Sequence, residues 1–305
     1  MTDAWIAETC TTDAFYLGES CRWDEVRQEL YWVNVDAGEF FRATAHGTRI
    51  DIVRRYDLGG YVTAVTPMEN RREGWLIARD QSLFSLSEGG DLTELATPEA
   101  RSGGEVRTND GAADPWGRYW IGSMALDEGE GRGSLYSFHE SSGLATVLSG
   151  VTISNGIGWS LDHLSMYYVD SAPGTVFIFD VDDRGDVTNQ RVFAQLDVAK
   201  EGAPDGLCVD ADGAIWVALW GGYEVRRYAP SGEIIGRVAL STAQPSCCAI
   251  GGANATTLYI TTAREHMSHE QLESQPDAGR LFCVDVGVRG LAINPYRPQL
   301  RTRVS

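Results

Sequence analysis

A chain of 305 residues with 43% hydrophobic and 10% aromatic side chains carries enough apolar material for a sizeable core, and its formal charge is −18. That charge argues against nucleic acid and against anionic membrane surfaces as partners, since both are gripped through basic patches. The six cysteines (Cys10, Cys21, Cys208, Cys247, Cys248, Cys283) lack paired C-x-x-C spacing, so neither a disulfide scaffold nor a zinc site is expected. They read as small buried apolar residues of a reducing compartment. The opening MTDAWIAETC has no basic segment leading into a long apolar one, and no apolar run of about 18 residues follows. A cytoplasmic protein with no membrane partner is expected.

Taken in chain order, one apolar phrase returns six times: YWVNVD from Tyr31, WLIARD from Trp75, YWIGSM from Tyr119, YYVDSA from Tyr167, IWVALW from Ile215 and LYITTA from Leu258. The starts at 31, 75, 119, 167, 215 and 258 are 44, 44, 48, 48 and 43 residues apart, a period that marks a repeat architecture. The phrases are aromatic and β-branched and carry no 3.6-residue stripe, so they predict strands. A second aromatic strand follows each after about ten residues: Phe40–Arg42, Leu83–Leu86, Leu135–Phe138, Val176–Val181, Val225–Tyr228 and Leu281–Val286. Gly-rich or Asp-Gly turns close most of these units. A smaller-residue strand precedes the core phrase, as at Ser20–Trp23, Val62–Val65, Ile157–Ser160 and Leu207–Asp210.

Three strands per unit, with room for a fourth, predict an all-β fold: a six-bladed β-propeller with four antiparallel strands per blade. No linker or composition shift divides it, so residues 1–305 are expected to form a single domain. Trp5–Ala7 are expected to complete the sheet of the last blade and close the ring. The terminal INPYRPQLRTRVS, with two prolines, is expected to be a mostly ordered tail whose last few residues fray.

In such a ring the first strand of each blade lines the axial channel. Glu19, Thr63, Asn109, Asn155, Asp205 and Ser246 lie just ahead of those strands, at successive intervals of 44, 46, 46, 50 and 41, and are equivalent across the repeats. Four of the six are Glu, Asn, Asn and Asp. Converging carboxylates repel and resist desolvation, and a hard cation relieves both costs. The alternative is that Asn-Gly, Asn-Asp-Gly and Asp-Gly are tight turns. Four copies in register favour one divalent metal held by Glu19, Asn155 and Asp205, with Asn109 nearby. Oxygen ligands of this kind accept Ca, Zn, Mn, Mg or Fe(II).

Other motifs carry no chemistry. There is no G-x-S-x-G elbow. Gly129-x-Gly131-x-Gly133 precedes a strand and reads as a loop. The Asp180–Gly185 stretch begins like an EF-hand but has Arg191 at the twelfth position, so it reads as a hairpin turn. His266 and His269 read as surface residues.

The segments GESCRWDEVRQELYWVNVD (from Gly18), RTNDGAADPWGRYWIGSM (from Arg107), TISNGIGWSLDHLSMYYVDS (from Thr152), PDGLCVDADGAIWVALWGG (from Pro204) and PSCCAIGGANATTLYITTAR (from Pro245) resemble the senescence-marker/regucalcin/gluconolactonase family of six-bladed propellers. The resemblance spans nearly the whole chain in order. It implies a single divalent cation on Glu19, Asn155 and Asp205, and substrate contacts from Arg107 and Asn109. The family's acidic substrate contact falls at Asp127, within the Gly-rich DEGEGRG. The implied activity is metal-dependent opening of a small-molecule sugar lactone, gluconolactone- or pentonolactone-like, to the aldonic acid. Water is activated by the Asp205 carboxylate, with Asp110 as the other candidate base. Tyr61 and Trp220 either stack on a sugar face or pack the rim. A hydrolase of aryl esters or organophosphates and a non-catalytic calcium-binding propeller are the alternatives. A monomer or weak homo-oligomer is expected.

Overall fold

The structure, a computed structural model, describes residues 2–69, 74–100 and 102–298. The last residues of the tail, for which fraying is expected, lie outside the described residues.

Two short strands open the chain, β1 (Asp3–Ile6) and β2 (Glu8–Thr9). The first sheet follows as β3 (Gly18–Asp24), β4 (Glu29–Asn34), β5 (Glu39–His46) and β6 (Arg49–Asp57). The second comprises β7 (Val62–Pro67), β8 (Trp75–Arg79), β9 (Ser82–Leu86) and β10 (Leu92–Ala96). The third holds β11 (Val106–Ala113), β12 (Tyr119–Ala125), β13 (Gly133–His139) and β14 (Gly143–Val151). The fourth holds β15 (Ser154–Trp159), β16 (Ser165–Asp170), β17 (Thr175–Val181) and β18 (Val187–Gln195). A one-turn helix α1 (Val198–Glu201) leads into the fifth: β19 (Ala203–Val209), β20 (Ile215–Trp220), β21 (Glu224–Tyr228) and β22 (Ile234–Ala239). The sixth has β23 (Pro245–Gly251), β24 (Thr257–Thr262) and, after helix α2 (His269–Ser274), β25 (Phe282–Asp285).

Each sheet runs from its first strand outward in chain order, except that β1 and β2 add the outermost strands of the fifth and sixth. The first strands touch in a closed cycle, β3–β7–β11–β15–β19–β23 and back to β3, which makes the fold a six-bladed β-propeller. All six apolar phrases fall on the second strand of a blade. Their alternate side chains fill the wedges between blades, where each of the six apolar clusters draws its residues from two neighbouring sheets. Trp32, Trp75, Trp120 and Trp216 are buried there, the largest apolar surfaces the sequence offers for burial.

Closure of the ring differs from the expectation for Trp5–Ala7. Glu8 and Thr9 pair with Cys283 and Phe282 and supply the fourth strand of the sixth blade. Trp5 and Ile6 instead run parallel to β22 on the outer edge of the fifth. The cause is the Trp5 indole, which packs on Trp216 at 5.5 Å over the bare backbone of Gly236. The C-terminal segment crosses the opposite face: Gly290 bridges to Asp210, and Tyr296 is buried between the second and third blades, its N–H donating to Pro67 O at 2.9 Å. No helix among the described residues is long and apolar enough to cross a membrane.

Candidate functional site

All six blades break register at the same place. Between the first and second strands the pairing shifts after Glu19, Val62, Thr108, Ser154, Pro204 and Pro245. A β-bulge leaves its extra residue outside the ladder and re-aims the side chain. The displaced residues include Thr63, Asn109, Asn155, Asp205 and Ser246, and Glu19 stands at the edge of the first bulge. These residues therefore lie within the first strands, not ahead of them as the sequence suggests.

Two of the bulges contain glycine, Gly156 and Gly206, and Gly111 closes a third. None has the left-handed φ that a tight turn would ask of it. A Cβ on Gly156 would stand 2.6 Å from Asp205 O, and one on Gly206 would stand 2.7 Å from Cys247 Cβ. Glycine is needed because neighbouring strands crowd at the axis, which removes the tight-turn reading of Asn-Gly and Asp-Gly.

A polar belt follows the bulges around the channel. Thr63 and Thr108 share a hydrogen bond at 3.0 Å. Asn109 Nδ2 donates to Ser154 O at 2.8 Å and to Asn155 Oδ1 at 3.3 Å, and Asn155 Nδ2 donates to Ser171 Oγ at 2.9 Å. Arg107 Nη1 donates to Asn109 Oδ1 at 2.6 Å and to Thr108 O at 2.9 Å. Arg107 is buried, and among the described residues no carboxylate lies in ion-pair contact with it. Its guanidinium lies 5.8 Å from the Tyr61 ring centre. Burial holds the Arg107 pKa below the usual arginine value, against the pull of Glu265, Asp36 and Glu19.

Three carboxylates sense one another here. Burial, then the charges of Glu19 and Asp110, push the Asp205 carboxyl well above the usual range. Burial, then Asp110, raise Glu19 as well. The cation in contact is Arg22, whose Nη2 meets Asp110 Oδ1 at 3.1 Å. Asp110 Oδ2 and Asp205 Oδ1 are buried and have no hydrogen-bond partner among the described residues.

These donors suit a hard cation: two carboxylates, an amide oxygen and an orphaned carboxylate oxygen. Among the described residues no three His, Cys, Asp or Glu side chains converge to hold an ion by themselves, so the set depends on the Asn155 amide.

Glu19, Arg107, Asn109, Asn155 and Asp205 thus occupy the channel face of four blades. Asp127 is not brought to them. It stands exposed on the loop after β12, with both oxygens within 2.8 Å of Arg132 Nη1 and Oδ1 accepting from Gly129 N–H. Its neighbour Glu128 reaches His266 of the sixth blade at 3.9 Å, so loops from opposite blades meet over the mouth. Tyr61 and Trp220 pack on the cluster of Leu17, Val35 and Ala263. The sequence reading misses Arg22. Its signal is an arginine between Cys21 and Trp23 on a strand that lines the axis, a position where a charge is tolerated only with a partner.

A closed ring of blades that brings carboxylates, amides and two arginines together on its axis defines a six-bladed propeller with oxygen donors at the hub. The SMP-30/gluconolactonase/LRE-like profile matches residues 17–264, and the chain belongs to that family. It is 34% identical to human regucalcin over 289 residues, covering 92% of this chain and 93% of that one. YvrE of Bacillus subtilis, provisionally named a sugar lactone lactonase, is 30% identical over 290 residues, covering 92% and 94%. Among solved structures, a calcium-binding regucalcin of Agrobacterium tumefaciens superposes with a TM-score of 0.88 at 27% identity, covering 97% of this chain and all of the other.

Proposed function

We propose that this chain is a metal-dependent lactonase that hydrolyses a sugar lactone to the aldonic acid. The observation that carries the reading is the excess of carboxylate at the hub: Glu19, Asp110 and Asp205 sense one another, Arg22 is in contact with Asp110 alone, Arg107 makes no ion pair, and Asp205 Oδ1 has no partner among the described residues. Such a deficit of positive charge suits one divalent cation on Glu19, Asn155 and Asp205. When bound, that ion supplies Lewis-acid polarisation of an ester carbonyl.

The chain's own residues supply the rest. Arg107 presents a buried guanidinium whose donors exceed its two acceptors, Thr108 O and Asn109 Oδ1, and it binds hydroxyls or the developing carboxylate. Asn109, fixed by Ser154 O and Asn155, orients the same ring. Asp205 takes the proton of the attacking water on a carboxylate oxygen and returns it to the ring oxygen as the acyl C–O bond breaks. The facing loops at Glu128 and His266 limit water and bulky substrates at the mouth. A lactone is already activated, so a few powers of ten, about 1.4 kcal/mol each, are required of these groups.

The test is proton release in a pH-stat with gluconolactone, xylonolactone and an aryl ester, before and after chelation, with each metal restored in turn. Lactone turnover that vanishes on chelation and is lost in Asp205→Asn is the expected outcome. Undiminished turnover after chelation overturns the metal role. Preference for the aryl ester shifts the reading to that substrate class. Calcium binding without turnover leaves a binding propeller, the reading that the calcium-binding Agrobacterium relative supports.

A further inference from the structure

A partly open chamber of about 360 Å3 lies beside Arg22, and Cys208 of β19 and Cys248 of β23 stand together in its wall. Their sulfurs are 3.8 Å apart across the boundary between the fifth and sixth blades. Of the six cysteines, all within the described residues, Cys208 alone is partly exposed and the other five are buried. The two strands run close together here: a Cβ on Gly206 would stand 2.7 Å from Cys247 Cβ. A disulfide needs sulfurs about 2.05 Å apart and Cα atoms within about 7 Å of each other. With backbones this near, closing the remaining gap asks for side-chain rotation and no shift of a blade.

The two thiols have different surroundings. Cys248 Sγ has a second partner in Trp216 O at 3.6 Å. Its hydrogen bond with Cys208, then burial, push the Cys248 thiol well above the usual range, so it keeps its proton. Cys208 is the one that meets whatever enters the chamber. An accessible thiol beside a second, resolving thiol is the arrangement of a redox-sensing pair. We propose that Cys208 and Cys248 form such a pair, which a hydroperoxide entering the chamber closes into a disulfide between the fifth and sixth blades. The Cys208 sulfur attacks one peroxide oxygen, the O–O bond breaks, and the thiol proton leaves with the other oxygen as water or alcohol. The Cys248 sulfur then attacks the sulfenic sulfur of Cys208. The S–O bond breaks, and the hydroxyl leaves with the Cys248 proton as water. Two thiols give up two electrons and one peroxide takes them. The bond closes a loop across a separation of 40 residues and staples two blades at the hub.

The test treats the full chain, reduced and then freed of reductant, with hydrogen peroxide in modest excess, followed by alkylation in denaturant and digestion with trypsin. A species joining peptides 201–226 and 238–264 is expected, lighter than their sum by two hydrogens and split by dithiothreitol. It is lost in Cys208→Ala and in Cys248→Ala. In Cys248→Ala, dimedone added with the peroxide labels Cys208, because the sulfenic acid has no thiol to condense with. The oxidised chain has a higher urea midpoint than the reduced one, since the closed loop constrains the unfolded chain. Full alkylation of Cys208 and Cys248 after peroxide, or linkage confined to Cys10 and Cys283, overturns the proposal. So does linkage that persists in Cys248→Ala, which would put the bond on Cys247. Absence of dimedone on Cys208 overturns the order of attack, and a lowered urea midpoint overturns closure by rotation alone. The wild-type map decides the pairing even where a variant does not fold.

Discussion

Glu19 shows how one side chain couples the site to the stability of the chain. Without a cation, burial and then Asp110 push its carboxyl from 4.5 up to about 8. The folded state then holds a proton that the unfolded state releases, so stability is fullest below pH 4.5 and declines as pH rises toward 8. Asp205 moves in the same direction. The urea midpoint of chelated protein should therefore fall between pH 5 and pH 8, and excess calcium should flatten the slope by taking the proton's place. A chelated midpoint that is level or rising over that window would contradict this electrostatic account. The acid and amide residues of the hub were legible from sequence because repeats put them in register. Asp127 was not, because a loop's length and path are set by local partners such as Arg132, which no period reports. Arg22 was hidden for a different reason: its partner, Asp110, is two blades away in the ring.

Among the elements, the turns between first and second strands repeat a device of their own. Asp24, Asp114 and Asp210 are fully buried in the first, third and fifth blades. Asp114 Oδ1 accepts from the N–H groups of Trp116, Gly117 and Arg118, and Oδ2 accepts from Trp120 Nε1 and Arg118 Nε. Asp210 does the same with Trp216 Nε1 and Arg227 Nε, and Asp24 accepts from Tyr31 Oη. Each carboxylate thus ties a turn to the aromatic core of its blade. Asp210→Ala leaves an indole N–H and a buried guanidinium short of an acceptor and should cost about 3 kcal/mol or more, read as a lower urea midpoint at unchanged slope. Sequence shows these stretches only as polar turns, because DPWGRYW and DADGAIW do not say that the aspartate points inward. The second strands were readable for the opposite reason, since side chains buried on both faces leave an unbroken apolar run. The edge strands β1 and β2 are the misjudged case: their four and two residues are too short for any period, and a single Trp5–Trp216 contact decides which blade holds the first of them. Deleting residues 1–9 should cost about 3 kcal/mol or more, roughly 5 °C in melting temperature for a chain of 305 residues.

For the molecule as a whole, every blade shares an apolar wedge with each neighbour, and the ring has no free end once β2 is paired. The chain is therefore expected to unfold as one unit, as the undivided repeat of 305 residues also implies. Calorimetry should record a single transition whose van't Hoff and calorimetric enthalpies agree, and two resolved transitions would break the one-domain proposal. The strong acidity belongs to this scale too. A field of −18 draws divalent cations toward the mouth, so their association should slow as salt screens it.

The pairing of Glu8 with Cys283 also fixes an order of events during synthesis. A segment made before the first blade has its permanent partner in the sixth. Five sheets can assemble while the nascent chain grows, yet the seam stays open until Phe282–Asp285 emerge. Contacts so distant along the chain form slowly, and an unsealed blade edge is adhesive to other chains meanwhile. The interval between synthesis of Glu8–Thr9 and of Phe282–Asp285 is thus when the ring is most exposed to misassembly.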